Sequence, residues 1–328
     1  LGNSRDKHTR PTHLAGIILK GLNLKTKIWA ALIAVYIVWG STYLGIRFAI
    51  ETIPPFLQAG TRFLISGAIL YIWQRLAGDP VPSLKQWKSA FIVGSLLLLG
   101  GNGLISLAET SIPSGIAALI LATIPMFMVL IEALRPGGVR PTHLQVVGLL
   151  VGFSGVALLI GPAEFGGTRE FSLLGGGIAI LAAVLWAIGS IYSRSAELPK
   201  STLLFTGMEM LMGSLGLFIV SAAKGEFAHF QIAAVSTNSL LGLLYLICFG
   251  SLVGFTSYAW LLRNAPVSLI STYPYVNPIV AVLLGSMFAQ EKLNTRTLVA
   301  ALIIVGSVII VNLAKKASPI LVKPEEAT

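Results

Sequence analysis

Charge is scarce in this sequence. Asp, Glu, Lys and Arg together make up 11% of 328 residues, where a soluble domain carries roughly 25%. With 55% hydrophobic residues besides, such a chain could not solvate its own surface in water. Cysteine is nearly absent. The one thiol, Cys248, excludes an intramolecular disulfide and a cysteine-cluster metal site, and its place inside an apolar run suggests a buried, inert group. The four histidines, His8, His13, His143 and His229, are scattered over loops and helix ends without an HExxH pattern, so no metal or other cofactor is expected. There is no Walker A sequence, which excludes direct drive by ATP. Gly101-Asn102-Gly103 lies inside an apolar run and not after a strand, so it is no nucleotide fingerprint. An intramembrane enzyme would need a clustered nucleophile and base, and none is found. The net charge of +10 does not point to nucleic acid either. Its basic residues sit in short loops and at the ends, not on one face interleaved with aromatics.

What the chain has in abundance is long apolar runs, and its mean hydropathy is +0.83. A spanning helix needs about 20 mostly apolar residues. Ten segments qualify: 28–50, 56–76, 88–108, 112–134, 142–161, 172–193, 201–223, 239–262, 266–288 and 296–314. Open backbone cannot face lipid, so helices or a closed barrel are the options. These runs are too long and continuous for barrel strands, which alternate over about ten residues. The first run is also too long for a signal h-region, and no small-residue cleavage site follows it; it is expected to be a retained helix. Between the runs lie short Pro-, Gly- and charge-rich links such as Thr52-Ile53-Pro54-Pro55, Gly78-Asp79-Pro80 and Arg135-Pro136-Gly137-Gly138. Short links make sequential helices antiparallel neighbours. If the N-terminus is cytoplasmic, 17 Lys and Arg fall on the inner side and 4 on the outer. That bias supports the orientation, the even number of spans and a cytoplasmic C-terminus together.

An internal repeat is visible in the same stretch. Pro113 and Pro125 near the start of the fourth run answer Pro266 and Pro278 in the ninth, and Thr142 answers Thr295 at the fifth and tenth. Gly40-Ser41-Thr42-Tyr43 answers Gly189-Ser190-Ile191-Tyr192, each soon after a tryptophan, Trp39 and Trp186. A five-helix unit ends on the side opposite to its start, so a second copy must be inverted. The expected organisation is a cytoplasmic segment 1–27, a first repeat 28–161, a second repeat 172–315 and a cytoplasmic tail 316–328. Inverted repeats are a common plan of secondary transporters, with the site near the midplane between the halves. Nothing in the sequence sets an oligomeric state. The rival to a carrier is a channel, which would usually repeat polar or charged rings through oligomerisation.

At this point the residues resemble a family. Trp39-Gly40-Ser41-Thr42-Tyr43 in the first span, Arg62-Phe63 in the second, and Asn277-Pro278 followed by Gln290-Glu291-Lys292-Leu293 look like the EamA type of the drug/metabolite transporter superfamily. The resemblance covers roughly residues 28–315. In the first repeat the place of Glu291-Lys292-Leu293 is taken by Pro136-Gly137-Gly138-Val139-Arg140, so the acidic position is missing there. What the resemblance implies is a central cavity lined by spans 1, 3, 4, 6, 8 and 9. It also implies movement of small organic solutes across the inner membrane, with export of amino acids or related metabolites as the first expectation.

The residues expected to carry transport are polar groups placed deep in spans. Trp39 and Tyr43, Asn102, Trp186 and Ser190, Tyr258, and Tyr273, Tyr275 and Asn277 form one substrate-binding constellation. Aromatic rings with polar tips suit an amphipathic solute better than a bare ion, and a buried amide must hydrogen-bond something; each ring alone could equally be helix packing. Pro274 and Pro278 each remove a helix hydrogen bond, and Pro125 is read as the counterpart of Pro278, making all three hinge candidates. Glu109 is the best entrance or gate candidate among the end-of-span carboxylates Glu51, Glu109 and Glu132, for which a solvated boundary position is the plain alternative. Charge within a span costs about 2.5–3.5 kcal/mol at a helix centre. Arg62 and Glu209 bear that cost at matching places of the two repeats, at depths differing by about 7 Å on a 1.5 Å rise. An ion pair across the repeat interface, or each group facing water, is the functional expectation, with a proton-relay role for Glu209 to be tested by Glu209→Gln; a packing lock or an interfacial snorkelling pair is the structural one. The GxxxG-like tracts from Gly148 to Gly152 and Gly250 to Gly254 are expected to let helices approach closely.

Overall fold

The computed structural model describes residues 23–136, 140–160, 172–265, 267–270, 272–291 and 293–315. Expectations placed on Gly137-Gly138-Val139, Pro266, Lys292 and both chain ends fall outside those residues. Among the described residues there is no strand. Among the same residues, seven helices are long and apolar enough to cross a membrane. They are α1 (Leu24–Ala49), α2 (Pro55–Leu76), α3 (Leu84–Ala108), α4 (Ser114–Leu134), α6 (Leu173–Ser193), α7 (Thr202–Ala223) and α8, which starts at Thr237 and runs on through Gly254–Asn264. Three further apolar helices are described: α5 (His143–Ile160), α9 (Tyr273–Phe288) and α10 (Thr295–Lys315). The chain is thus an all-α, multi-pass membrane protein. Large apolar side chains such as Ile33, Ile37, Ile69, Leu150 and Leu240 point outward, as they do where lipid is the solvent.

The helix starts are written locally. Asn23, Ser172, Ser201, Ser236 and Asn294 each accept a backbone N–H of the first turn they precede. Ser83 with Gln86, and Thr142 with Gln145, form reciprocal capping boxes. Pro54 and Pro55 open α2, where a missing N–H costs nothing.

Two irregularities recur in both halves. The middle of α3 (Ser95–Gly103) and the middle of α8 (Leu246–Val253) are π-helical. Gly101 and Gly250, one in each stretch, are 149 residues apart, as are Gly40 and Gly189. The second irregularity is a break. α4 is interrupted between Leu121 and Ile124, and α9 is preceded by a short separate helix, Val267–Ile270. At each break a threonine hydroxyl turns back to a carbonyl three residues earlier: Thr123 to Ile120 (2.6 Å) and Thr272 to Leu269 (2.5 Å). A proline follows in the first turn of the next helix, Pro125 and Pro274. These again stand 149 apart. The counterpart of Pro125 is therefore Pro274, and not Pro278, which lies inside α9. The twelve-residue spacing shared with Pro278 is a coincidence: the half-helix before the break is one turn shorter in the second repeat.

Packing follows the same relation. α2 lies antiparallel on α7, and α5 antiparallel on α10. α9 on α1 answers α4 on α6, α8 on α1 answers α3 on α6, and α8 on α2 answers α3 on α7. Glycine permits the closest of these crossings. A Cβ on Gly207 would come within 2.8 Å of the Tyr71 nitrogen and 3.2 Å of the Gly67 carbonyl oxygen. Gly148 and Gly152 serve α10 in the same way, against Val311 and Ser307. Cys248 corrects an expectation: it is exposed, on the outward face of α8. An apolar run does not distinguish a lipid-facing position from a core one, because both are apolar.

Candidate functional site

Trp39 on α1 is the hub of an aromatic cluster. Its ring centroid lies 5.3 Å from Phe255, 5.0 Å from Tyr258 and 5.1 Å from Tyr273, and Tyr258 and Tyr273 meet edge to face at 5.7 Å. Edge-to-face contact sets ring edges against electron-rich faces. The indole Nε1 donates to the carbonyl of Gly250 at 3.3 Å. That carbonyl sits in the π-helical stretch of α8, and such stretches recur at functional sites because they leave backbone groups loosely satisfied. Gly254 makes room for the ring, since a Cβ there would come within 2.8 Å of indole Cδ1. Asn277 lies beside the cluster. With its amide nitrogen turned to the carbonyls of Tyr36 (3.3 Å) and Tyr273 (3.1 Å) it ties α1 to α9, and the Tyr36 and Thr272 hydroxyls bond to each other alongside.

The structure brings together four of the nine sequence-predicted binding residues here: Trp39, Tyr258, Tyr273 and Asn277. Trp186 packs on Gly101 of α3 next to Asn102, whose amide reaches the Leu97 carbonyl at 3.5 Å. This repeats the setting of Trp39 on the α8 stretch, in the other half. Ser190 is one turn further along α6. Tyr43, one turn along α1 from Trp39, lies within electrostatic reach of Tyr273 and also packs against the core around Ile46, Ile105 and Ala108, whereas Tyr275 joins Met126, Leu149 and Val308. Phe255 belongs to the site without any sequence signal, and Gly250, expected only to let helices approach closely, accepts the indole N–H there. The recurrence of a glycine 149 residues after Gly101 was the available signal.

Arg62 and Glu209 are both buried but do not pair. Among the described residues the one ion pair is Glu132 with Arg135, at 3.6 Å. Arg62 turns toward α8, where its Nε donates to Ser251 Oγ at 2.9 Å, and its guanidinium lies 4.7 Å over the Phe63 ring. The Glu209 backbone carbonyl lies against Gly94 of α3, and no ion pair joins its carboxylate to Arg62. Depth brought them within reach; the face of the helix did not.

The end of the bundle that carries the α1–α2 link is closed by carboxylates. Glu226 accepts the Phe56 and Leu57 N–H groups and the Ser221 hydroxyl. Glu291, in the link after α9, accepts Ser114 N (2.7 Å), Ser114 Oγ (2.7 Å) and Gly115 N (3.1 Å) at the start of α4. The acidic position of the second repeat is thus the cap of a helix in the first, where the helix dipole favours negative charge. Gly285 is bare because a Cβ there would meet the Glu291 carboxylate. A small cleft beside it is lined by Pro113, Ile116, Val282 and Leu293. Glu291→Ala removes three hydrogen bonds to a charged acceptor and is expected to cost about 2–3 kcal/mol. Glu291→Gln, which keeps the shape, is expected to lose about half of that. Thermal unfolding of the purified protein in detergent reads both.

Glu109, just past α3, is fully buried and not a solvated boundary group. Neither carboxylate oxygen has a hydrogen-bond partner. Arg47 Nη1 donates to the Glu109 backbone carbonyl at 3.1 Å, not to its side chain. Burial first, and the nearby Glu291 charge second, hold the Glu109 carboxyl well above the usual carboxylate range, with Arg47 opposing.

Comparison with known proteins joins this geometry. The EamA-like transporter family matches residues 26–161 and 173–313, one match in each half. The uncharacterized inner membrane transporter YedA of Escherichia coli (strain K12) is 36% identical over 294 residues, covering 89% of this chain and 92% of that protein. The uncharacterized transporter YvbV of Bacillus subtilis (strain 168) is 30% identical over 295 residues, with 89% and 94% covered. A solved crystal structure, 22% identical, superposes with a TM-score of 0.60 over 90% of this chain and 99% of that one, and shows the fold alone.

Proposed function

Because this chain belongs to the EamA-like transporter family, we infer that it is a secondary carrier of small amphipathic organic solutes, working by alternating access. Ten spans in two inverted halves are the arrangement we propose, in the inner membrane with both termini cytoplasmic. The antiparallel α2–α7 and α5–α10 pairs and the recurrence of every break in both halves support it. The observation that carries the reading is the Trp39 cluster, placed where the broken α9 meets the π-helical stretch of α8. Interrupted helices with unsatisfied backbone recur at carrier sites near the midplane, and aromatic walls suit a solute with an apolar body. Pro125 and Pro274 mark the hinges, because each opens a half-helix after a turn without regular bonding. Pro278 loosens α9 one turn further on, and Glu109 stands at one gate. Amino acids or related metabolites, moved outward, are the first solutes to try.

Counterflow into liposomes holding the purified protein tests this. A carrier exchanges labelled against unlabelled solute, whereas a channel or an enzyme does not. Trp39→Phe, which keeps a ring but loses the bond to Gly250, is expected to raise the half-saturating concentration about tenfold, equivalent to about 1.4 kcal/mol. Absence of exchange across a broad solute panel would overturn the carrier reading.

A further inference from the structure

Arg62 is a buried cation without an anion. It is 4% exposed, and no carboxylate among the described residues comes within ion-pair distance of it. Its surroundings fix the guanidinium but do not neutralise it: Ser251 Oγ accepts from Nε, Phe63 supplies a ring face, and the Tyr245 hydroxyl nearby is bonded to Ser41. One hydroxyl leaves the Nη donors of a five-donor fork unused. A fork held in one orientation matches a planar carboxylate, which takes two parallel N–H bonds.

Gly250 sets where that fork looks. A Cβ on Gly250 would lie 3.1 Å from Arg62 Nη2, and the Gly250 carbonyl accepts the Trp39 indole N–H. A single residue of the π-helical stretch therefore separates the cation from the aromatic cluster. Resting on the carrier reading above, we propose that Arg62 is the anchor for an anionic oxygen group on the solute, with Trp39, Tyr258 and Tyr273 taking its apolar body. The substrate class is then amphipathic monocarboxylates with a ring or branched apolar body. Ser251 acts as a positioning residue, holding Nε so that the Nη edge is free. Glu209, the matching residue of the other half, makes no ion pair with it.

Binding to the purified protein is measured for three acids, phenylacetate, indole-3-acetate and 4-methylpentanoate, and for the corresponding amides. At least one acid is expected to bind ten times or more tightly than its amide. In Arg62→Gln that preference is expected to fall below threefold, mostly through the acid, and Arg62→Lys is expected to keep part of it. Ser251→Ala retains the charge but frees the fork, and a severalfold loss of the preference is expected. It serves equally if the Arg62 variants do not fold. Equal binding of acid and amide, binding of neither, or a preference unchanged in both Arg62→Gln and Ser251→Ala overturns the proposal. Counterflow with neutral and cationic solutes separates the two readings. Exchange of those without acid binding leaves the carrier and removes the anchor; no exchange of any solute removes both.

Discussion

Gly94→Ala is expected to destabilise the fold by about 3 kcal/mol or more, although alanine is the better helix former by roughly 1 kcal/mol. At Gly94 the backbones of α3 and α7 touch. An added Cβ would collide with the Glu209 carbonyl oxygen and lie 2.9 Å from the Gly213 nitrogen. Neither atom belongs to a flexible side chain, so relief requires a whole helix to move. Gly213 is bare for the reciprocal reason, with the Gly94 oxygen 2.9 Å from where its own Cβ would stand. Gly177 on α6 is the counterexample in the same membrane, since nothing lies within 4 Å of a Cβ there. Gly177→Ala is expected to stabilise by about 0.5–1 kcal/mol, through the unfolded chain alone. The two substitutions are chemically identical and their effects are expected to have opposite sign. Thermal unfolding in one detergent compares them, and a Gly94→Ala protein as stable as the parent would mean that α3 and α7 do not cross here.

How far the sequence shows this fold depends on whether a feature is local. The spans are legible because twenty apolar residues have few alternatives, and the caps at Ser83 and Thr142 because a capping box is complete within four residues. The aromatic cluster is half legible. Trp39, Tyr258 and Tyr273 are conspicuous in apolar runs, but Tyr275 is equally conspicuous and packs elsewhere. Each helical residue turns about 100° from the last, so depth in the membrane says nothing about facing. That is why Arg62 and Glu209 looked like partners. Their matching places in the two halves carry Arg62 to α8 and Glu209 to α3, the two ends of one symmetric relation. The proline pairing failed differently. A proline in the first turn and a proline four residues later read alike until the preceding break is seen, and the threonine before Pro125 and before Pro274 was the better guide. Glu291 has no counterpart in the first repeat that would mark its role in the sequence, and its work is done on a helix of the opposite half.

Glu109→Gln is expected to remove the pH dependence of exchange. In the arrangement seen here the Glu109 carboxyl has no exposure and no hydrogen bond on either oxygen. An isolated carboxylate in that place would be far too costly, so the group is neutral. The charged and titratable groups around it do not alter this. Tyr43 and Arg47 face it from α1, and Arg47 spends its bond on the backbone. Glu291 comes from the link after α9, with its oxygens already engaged by Ser114 and Gly115. To ionise, Glu109 must reach water, which requires this end of α3 to part from its neighbours. Its carboxyl is raised in the closed arrangement relative to the open one. The closed arrangement is therefore fully favoured below the ordinary carboxylate range and loses that advantage as pH climbs toward the raised value. One proton changes the balance by up to about tenfold per pH unit within that window. Counterflow followed upward from the ordinary carboxylate range should show this slope in the parent protein, and thermal stability should decline over the same interval. The glutamine variant has no proton to lose: its exchange and its unfolding temperature should be flat there, and solute accumulation driven by a proton gradient should disappear while simple exchange persists. An equal slope in both proteins would place the titrating group elsewhere and leave Glu109 as packing.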